Sequence, residues 1–582
     1  MKAMWRMIIL TVSMMWSAAV LNAQSQDEWK VISALVGEDV ENMNEHEVER
    51  LQALLVRPVR INTATLTRLV DSGLFTRYQA ASLIDYRNRS GAVMSFMELA
   101  TIDGFGQEFT DRIRPFLCLD MPASGAGERV RSEALLRTTF KTKDGKLRYS
   151  YDSRYNVEVG ERIGVTIGIS RSLDARRARP DIMSGHIEWR SGRLPLKLIA
   201  GDFNARFGQG LALWNGLSIS SLNSPSAFMK RSSGLTSSSS LTGKYAFTGL
   251  AGEVEIRRFI LSFMLAAPGL KQVTSKPDRV GLIPAANLTY ICRNGQLGMT
   301  HYTEFSGLTA GMSIPAMKTS FDGAFCIKGT DVFGEVSYDW VDRSPSVRAG
   351  TVFPIGEPVD AAVMMRSSRK EHALSVSGSL LTGRWMQVNS NAVRRIYGTF
   401  STDIILYPEP KSQTQDRSLQ VKMHSQWQIV LTESFLMVLR VTERMRSWGQ
   451  MFRTDLRVDL DWNSQRFSTS VRMNVLNCVE TGFLTYAEGG FKTEKTALYL
   501  RQGLFVIDNW DDRIYAYERD VPGSFNVPAL YGRGLWTSFM ASWKPARWIK
   551  LYARLGYTSY IFMKKEKKPG RAELRFQCMF DF

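Results

Sequence analysis

The chain reads as α+β with the two kinds of structure in separate domains, a small all-α domain followed by a large antiparallel transmembrane β-barrel. Three observations predict this. From residue 27 to about 119 apolar side chains recur at three and four places, as Val48, Leu51, Leu54 and Leu55 do, which is the helical period. Beyond residue 130 the period changes to two: Thr537, Phe539, Ala541 and Trp543 alternate with other residues, as do Ile549, Leu551, Ala553, Leu555 and Tyr557. After the first two dozen residues, the longest apolar run is about 259–267, with a serine inside it. A membrane helix needs roughly 20 apolar residues, so a membrane-spanning chain of this kind must cross with strands, and strands in hydrocarbon must close.

Residues 1–23 have the layout of a secretory signal peptide: Lys2 and Arg6 precede an apolar stretch over 7–20, and Ala23 supplies a small residue before Gln24. Residues 24–119 form the expected helical domain, placed in the periplasm. Residues 120–129, rich in glycine, alanine and serine, read as a linker. Residues 130–582 are the expected barrel. Strand-period segments occur at 134–141, 196–203, 332–340, 419–427, 435–442, 456–462, 467–474 and 497–506. A barrel segment of this length, at about 10 residues per strand plus connections, accommodates on the order of 16 to 24 strands.

The connections differ in length. Lys544 to Arg547 make a very short turn between Trp543 and Trp548, whereas 231–243 and 561–570 are long and polar. Short turns belong to the periplasmic rim of an outer-membrane barrel and long loops to the outer one. At the C-terminus Leu574, Phe576, Cys578, Phe580 and Phe582 alternate with mostly polar residues, and the terminal Phe580 and Phe582 resemble the signal read by barrel-assembly machinery. The expected location is the cell outer membrane.

The formal charge is +18. Residues 24–120 hold 15 acidic and 10 basic side chains, a net of −5, so the excess of positive charge resides in the barrel. Such a balance favours anionic partners, among them lipopolysaccharide head groups and nucleic acid. Five scattered cysteines without a C-x-x-C spacing indicate neither a disulfide framework nor a metal site. No cofactor motif is present.

Within the helical part, Ile61, Asn62, Thr63 and Ala64, the run Leu83, Ile84, Asp85, Tyr86 and Arg87, then Gly91, Met97, Glu98 and Leu99, and finally Ile102, Asp103, Gly104, Phe105 and Gly106 with Ile113 carry a resemblance. Residues 57–117 resemble the tandem helix-hairpin-helix module of the competence DNA receptors. The resemblance implies that Asn62 or Thr63 caps a helix, and that Gly104, Phe105 and Gly106 offer backbone N–H groups to a DNA phosphate beside Arg112 and Arg114. The first hairpin has Leu74, Phe75 and Thr76 where the family has glycines, with only Gly73 before them, so its phosphate cradle is expected to be lost. The chain is also similar, over nearly its full length, to outer-membrane proteins of Bacteroidota-type bacteria that join such a domain to a large barrel. Residues 201–214 and 513–534 carry that similarity.

No catalytic activity is expected. His46, His186, His301, His372 and His424 are isolated, and no H-E-x-x-H, G-x-S-x-G or phosphate-loop pattern occurs. The dense cluster Asp508, Asp511, Asp512, Arg513, Glu518, Arg519 and Asp520 reads as lumenal ion pairs bracing a wall, with glycan hydrolysis as the alternative. Two functions stay open from sequence: a transport or channel component whose helical domain handles DNA, and a structural or assembly protein whose helical domain docks a periplasmic protein.

Overall fold

The computed structural model describes residues 31–32, 35, 45–120, 130–143, 146–160, 162–175, 178–191, 195–215, 222–240, 246–267, 281–306, 313–356, 359–382, 395–411, 417–432, 434–561 and 569–582. The expected signal peptide lies outside the described residues, as does the linker apart from Asp120. Among the described residues no helix is long and apolar enough to cross a membrane.

The strand-period region forms one closed antiparallel barrel of twenty-four long strands, from Val130–Lys143 to Arg571–Asp581. The last strand pairs antiparallel with the first, from Glu573 opposite Lys141 to Asp581 opposite Glu133. Ser132 and Phe582 then exchange backbone hydrogen bonds of 3.1 and 2.8 Å. Such closure leaves no open edge, which is the condition for placing a sheet in lipid. The short strand Gly234–Ser237 is additional and pairs with the upper end of Leu196–Arg206, beyond the point where that strand parts from Phe247–Ile256. The eight segments predicted from period two all fall on observed strands, with Trp340 one residue past its strand end.

Alternation assigns the two faces. Along Phe259–Ala266, Phe259, Leu261, Phe263 and Leu265 are 42–47% exposed, while Ile260, Ser262, Met264 and Ala266 are buried. The outward set forms an apolar face suited to lipid, and Trp548, Phe580 and Phe582 stack at one rim as an aromatic girdle. The rim carrying the barrel's two chain ends has connections of two to five residues, except 383–394; the opposite rim carries 207–246, 267–282, 508–531 and 560–570.

The helical unit consists of Glu45–Val56 followed by two helix–loop–helix pairs, Leu66–Asp71 with Arg77–Ser90 and Phe96–Thr101 with Gln107–Ile113. A parallel bridge of Val59–Arg60 on Leu117–Cys118 clasps its ends. Thr65, Thr76 and Ser95 cap three of the helices, and Thr76 with Gln79 makes a full capping box. The capping role expected of Asn62 or Thr63 falls to Thr65. Asn62 is instead buried and cross-braces the unit: its Nδ2 donates to the carbonyls of Val93 and Leu119 at 2.9 and 2.8 Å, and its Oδ1 accepts from the Val93 N–H at 2.8 Å.

The outward face generates a prediction. Phe263→Arg places a charge on the lipid side and is expected to cost about 2–4 kcal/mol if the residue sits near the bilayer midplane. Urea titration of the barrel refolded into vesicles would show the lowered midpoint; an unchanged midpoint would mean that this face does not meet lipid.

Candidate functional site: the filled lumen

A barrel of this strand number encloses more space than its inward side chains fill. Three bodies occupy that space. One is the helical unit. The other two are connections from the long-loop rim, the described residues of 207–240 and the whole of 508–531, and both run through the stretches singled out for their family similarity. The sequence expectation placed the helical unit by itself in the periplasm; in the structure it is buried against the inward face of the wall. The physical reason is a set of ion pairs and a shared apolar core that no periodicity reveals.

Arg77, Asp71 and Arg57 tie the unit to the wall by ion pairs. Arg77 opens the helix Arg77–Ser90 and is 1% exposed; its Nη2 lies 2.9 Å from Glu253 Oε2. A cation at a helix N-terminus opposes the helix dipole, so the pairing must come from the wall rather than from the helix. Gly234, at φ +65°, leaves the space into which the Arg77 guanidinium fits. Asp71, at the end of its helix, accepts from Lys197 Nζ at 2.7 Å and Arg190 Nη2 at 2.9 Å. Arg57 reaches both Glu133, at 3.0 Å, and Asp581, at 3.3 Å. Those two carboxylates stand directly opposite each other across the closing seam of the barrel. Like charges so placed repel, and Arg57, Lys550 and Arg154 around them supply the compensation.

The connection 508–531 binds the unit through apolar contacts. Tyr517 joins the core formed by Leu51, Leu69, Leu74, Phe75, Phe105 and Phe116, with Phe525 and Val527 packed against it. Behind it most of the charged cluster joins a network of ion pairs with the wall, in which Arg554 meets both Glu518 and Asp520. Glu518 meets Arg554 at 2.8 Å and accepts from Trp536 Nε1 at 3.2 Å. Arg519 meets Glu488 at 2.6 Å, Asp520 is held by Arg575, and Asp508 pairs with Arg533. Asp512, fully buried, accepts three backbone N–H groups from Cys478, Val479 and Glu480 at 2.8–3.0 Å. These carboxylates are thus held by cations or backbone N–H groups, the arrangement that the pairing reading describes.

The other connection folds around a wall carboxylate. The N–H groups of Gln209, Leu211 and Ala212 donate to Glu335 at 2.6, 3.0 and 3.2 Å. Gly208, at φ +57°, has Glu335 Oε2 within 2.8 Å of where a Cβ would stand, so a side chain there would collide with the group being bound. Further along, Lys230 lies 4.8 Å from the Trp214 ring centroid. Burial, with the Arg348 guanidinium next in weight, pushes the Lys230 amine down to about 7. Arg231 lies over the Phe109 ring of the helical unit at 4.7 Å.

The residues expected to hold a DNA phosphate are placed as follows. Gly104 and Gly106 have φ of +86° and +69°, and Gly106 caps the helix Gln107–Ile113. Phe105 is buried against Phe75 and Phe109. The Gly104 carbonyl accepts from Gln79 Nε2 at 2.6 Å. Arg112 donates to the Tyr397 hydroxyl of the wall at 2.8 Å, and Arg114 lies over the Phe96 ring at 5.1 Å. Both arginines are thus engaged within the protein. Among the described residues no group of histidine, cysteine, aspartate and glutamate is arranged to hold a metal ion.

A cavity of about 1390 Å³ remains between the unit and the wall, reaching the short-turn residues Gly160, Arg162, Ser464 and Arg466. Its lining includes 14 lysines and arginines against six aspartates and glutamates. Such a lining concentrates anions. Period and composition placed the positive charge in the barrel but could not show that it gathers around a helical insert.

No known family profile matches this chain, and no curated protein matches it in sequence. Among solved structures, the chain is similar to the siderophore receptor PirA from Pseudomonas aeruginosa, at 7% identity and a TM-score of 0.39, over 78% of this chain and 81% of that one. It is also similar to OccK11 (OpdR) from Pseudomonas aeruginosa, at 9% identity and a TM-score of 0.27, over 78% and 96%. A third is the P pilus usher (PapC) translocation pore, at 8% identity and a TM-score of 0.28, over 78% and 99%. At these identities and scores the likenesses bear on neither ligand nor partner.

Proposed function

We propose that this protein is a non-enzymatic transport barrel of the outer membrane in which the N-terminal helical unit is a lumenal plug, and that solute passes when the plug shifts. The observation that carries the reading is the burial of the unit against the wall through Arg77 and Glu253, Asp71 and Lys197, and Arg57 and Glu133. The closed barrel and its apolar outward face support the membrane location. The basic cavity supports an anionic cargo.

DNA is the narrower version of that cargo and rests on the resemblance of residues 57–117. The positive φ of Gly104 and Gly106 agrees with it, whereas the engagement of Arg112 and Arg114 weakens it. Phosphate neutralisation dominates DNA affinity, and these two cations already have partners. The reading therefore extends to anionic solutes in general. The docking of a periplasmic protein is favoured by a different observation: Met94 and Met97, on the helical unit, are 80% and 74% exposed.

Planar-bilayer conductance of the full chain tests the plug. The wild type is expected to conduct little. Arg77→Glu, which sets two carboxylates against each other, is expected to destabilise seating by about 3–5 kcal/mol and to raise conductance, and Glu253→Arg added to it is expected to restore the closed state. A wild type that conducts like an open pore, or an Arg77→Glu variant with unchanged conductance, would refute the plug.

A pH dependence follows from Lys230. Its amine ordinarily titrates near 10.5 and here near 7, so between those values the unfolded chain holds the extra proton. Seating of the 222–233 segment should therefore strengthen as pH rises from about 7, with the full penalty present below it. Protease nicking of the segment, compared between pH 6 and 9, should decline in the wild type and stay flat in Lys230→Met.

A further inference from the structure

The wall on strands Ser418–Thr432, Phe435–Arg446 and Phe452–Asn463 carries a second concentration of positive charge, away from the ion pairs of Arg77, Asp71 and Arg57. Lys422 stands directly opposite Arg444, and Arg444 directly opposite Arg453. Arg446 lies two places along from Arg444, opposite Gln420. All belong to the lumenal set, because residues of the alternate parity, Met423, Val441 and Leu456, are the outward ones, 39–46% exposed. The row lies toward the long-loop rim. The one acid in register with it is Asp403, opposite Lys422, which is already bound by Arg366 at 3.2 Å and by the Ser375 hydroxyl at 2.5 Å.

Like charges on directly opposed strand positions repel, and a guanidinium does not escape by losing its proton. Yet the row is held in place. Arg453 donates to the carbonyls of Asp511 and Arg513 at 2.9 and 3.3 Å. Arg446 donates to Gln420 Oε1 at 2.8 Å and lies over the Trp448 ring at 5.4 Å. Arg444, between them, has no hydrogen bond or ion pair with any described residue, and its Nε is buried without a partner. Lys422 and Arg453 stand directly opposite it and Arg446 two places along, and each has the same sign. A central cation without a counter-charge, fixed among others by neutral acceptors, is a preorganised cradle for an anion. Its span over adjacent strands matches more than one anionic group.

We propose that Lys422, Arg444, Arg446 and Arg453 form a binding site for a soluble solute bearing at least two adjacent oxyanion groups, an oligophosphate in chemical class, entering from the long-loop side. The site does not depend on conduction, so it can fail or hold independently of the plug.

Equilibrium binding of tripolyphosphate to the detergent-solubilised full chain, by calorimetry, tests it, with monophosphate as the second ligand. Tripolyphosphate is expected to bind at least about tenfold more tightly than monophosphate, and its affinity to fall with added salt. Arg444→Gln and Arg453→Gln are each expected to lower that affinity about tenfold. Arg89→Gln, which removes an exposed cation of the helical unit, should leave it unchanged, and heat-dependent gel mobility confirms that each variant is folded. Equal affinity in folded Arg444→Gln, equal affinity for the two ligands, or no binding at low salt would overturn the proposal.

Discussion

The need to fill and neutralise the interior of a very wide barrel governs the rest of this structure. Inward residues of small barrels meet across the axis and pack there, but twenty-four strands hold opposite walls too far apart for that. Charged lumenal groups such as Glu253 and Lys197, 5% and 2% exposed, then need partners brought to them. The chain supplies these from its own N-terminal unit and from two connections that fold inward. Each partner arrives with the complementary charge: Arg77 for Glu253, Asp71 for Lys197, and backbone N–H groups for Glu335. Removing one member of such a pair leaves a buried charge uncompensated, which costs more than the pair contributes net.

One of these partnerships reaches beyond packing. Glu133 and Asp581 oppose each other where the first strand meets the last, and the helical unit places Arg57 against both. Closure of the sheet and seating of the unit therefore share an ion cluster. A barrel that closed without the unit would keep two facing carboxylates with Lys550 and Arg154 as their remaining cations. The helical unit is thus part of what stabilises the closed sheet as well as an occupant of it.

Much of the barrel could be read from residues alone. Strict alternation, as in 549–557, survives because one side meets an apolar medium and the other does not. The inward connections could not be read that way, since residues such as Gly208, Asp512 and Tyr517 follow no period and act through contacts far away in the chain. The clustered acids at 508–520 gave a correct hint of bracing, because arginines interleave with them, but not the identity of each partner. Asn62 shows a similar limit: its place in a helix-opening motif suggested a cap, whereas its two-sided amide was needed to join Val93 and Leu119. The helical unit's location was invisible for the same reason, because Arg77, Asp71 and Arg57 look like ordinary surface charges until the wall is present.

The way the helical unit is held also limits how a proposed plug could move. Its core is continuous with Tyr517 and Phe525 of the connection 508–531, so complete expulsion would expose that apolar surface as well as break the ion pairs of Arg77, Asp71 and Arg57. A shift within the lumen is less costly. The cavity beside Arg60 and Arg68 offers room on one side, and its surplus of cations lets a displaced carboxylate such as Asp71 find a new partner before it loses the old one. An anion entering as proposed would compete for the cations that Asp71 and Glu133 now hold. In the proposed transport barrel, the same charges that seat the unit would make its position responsive to what enters the barrel.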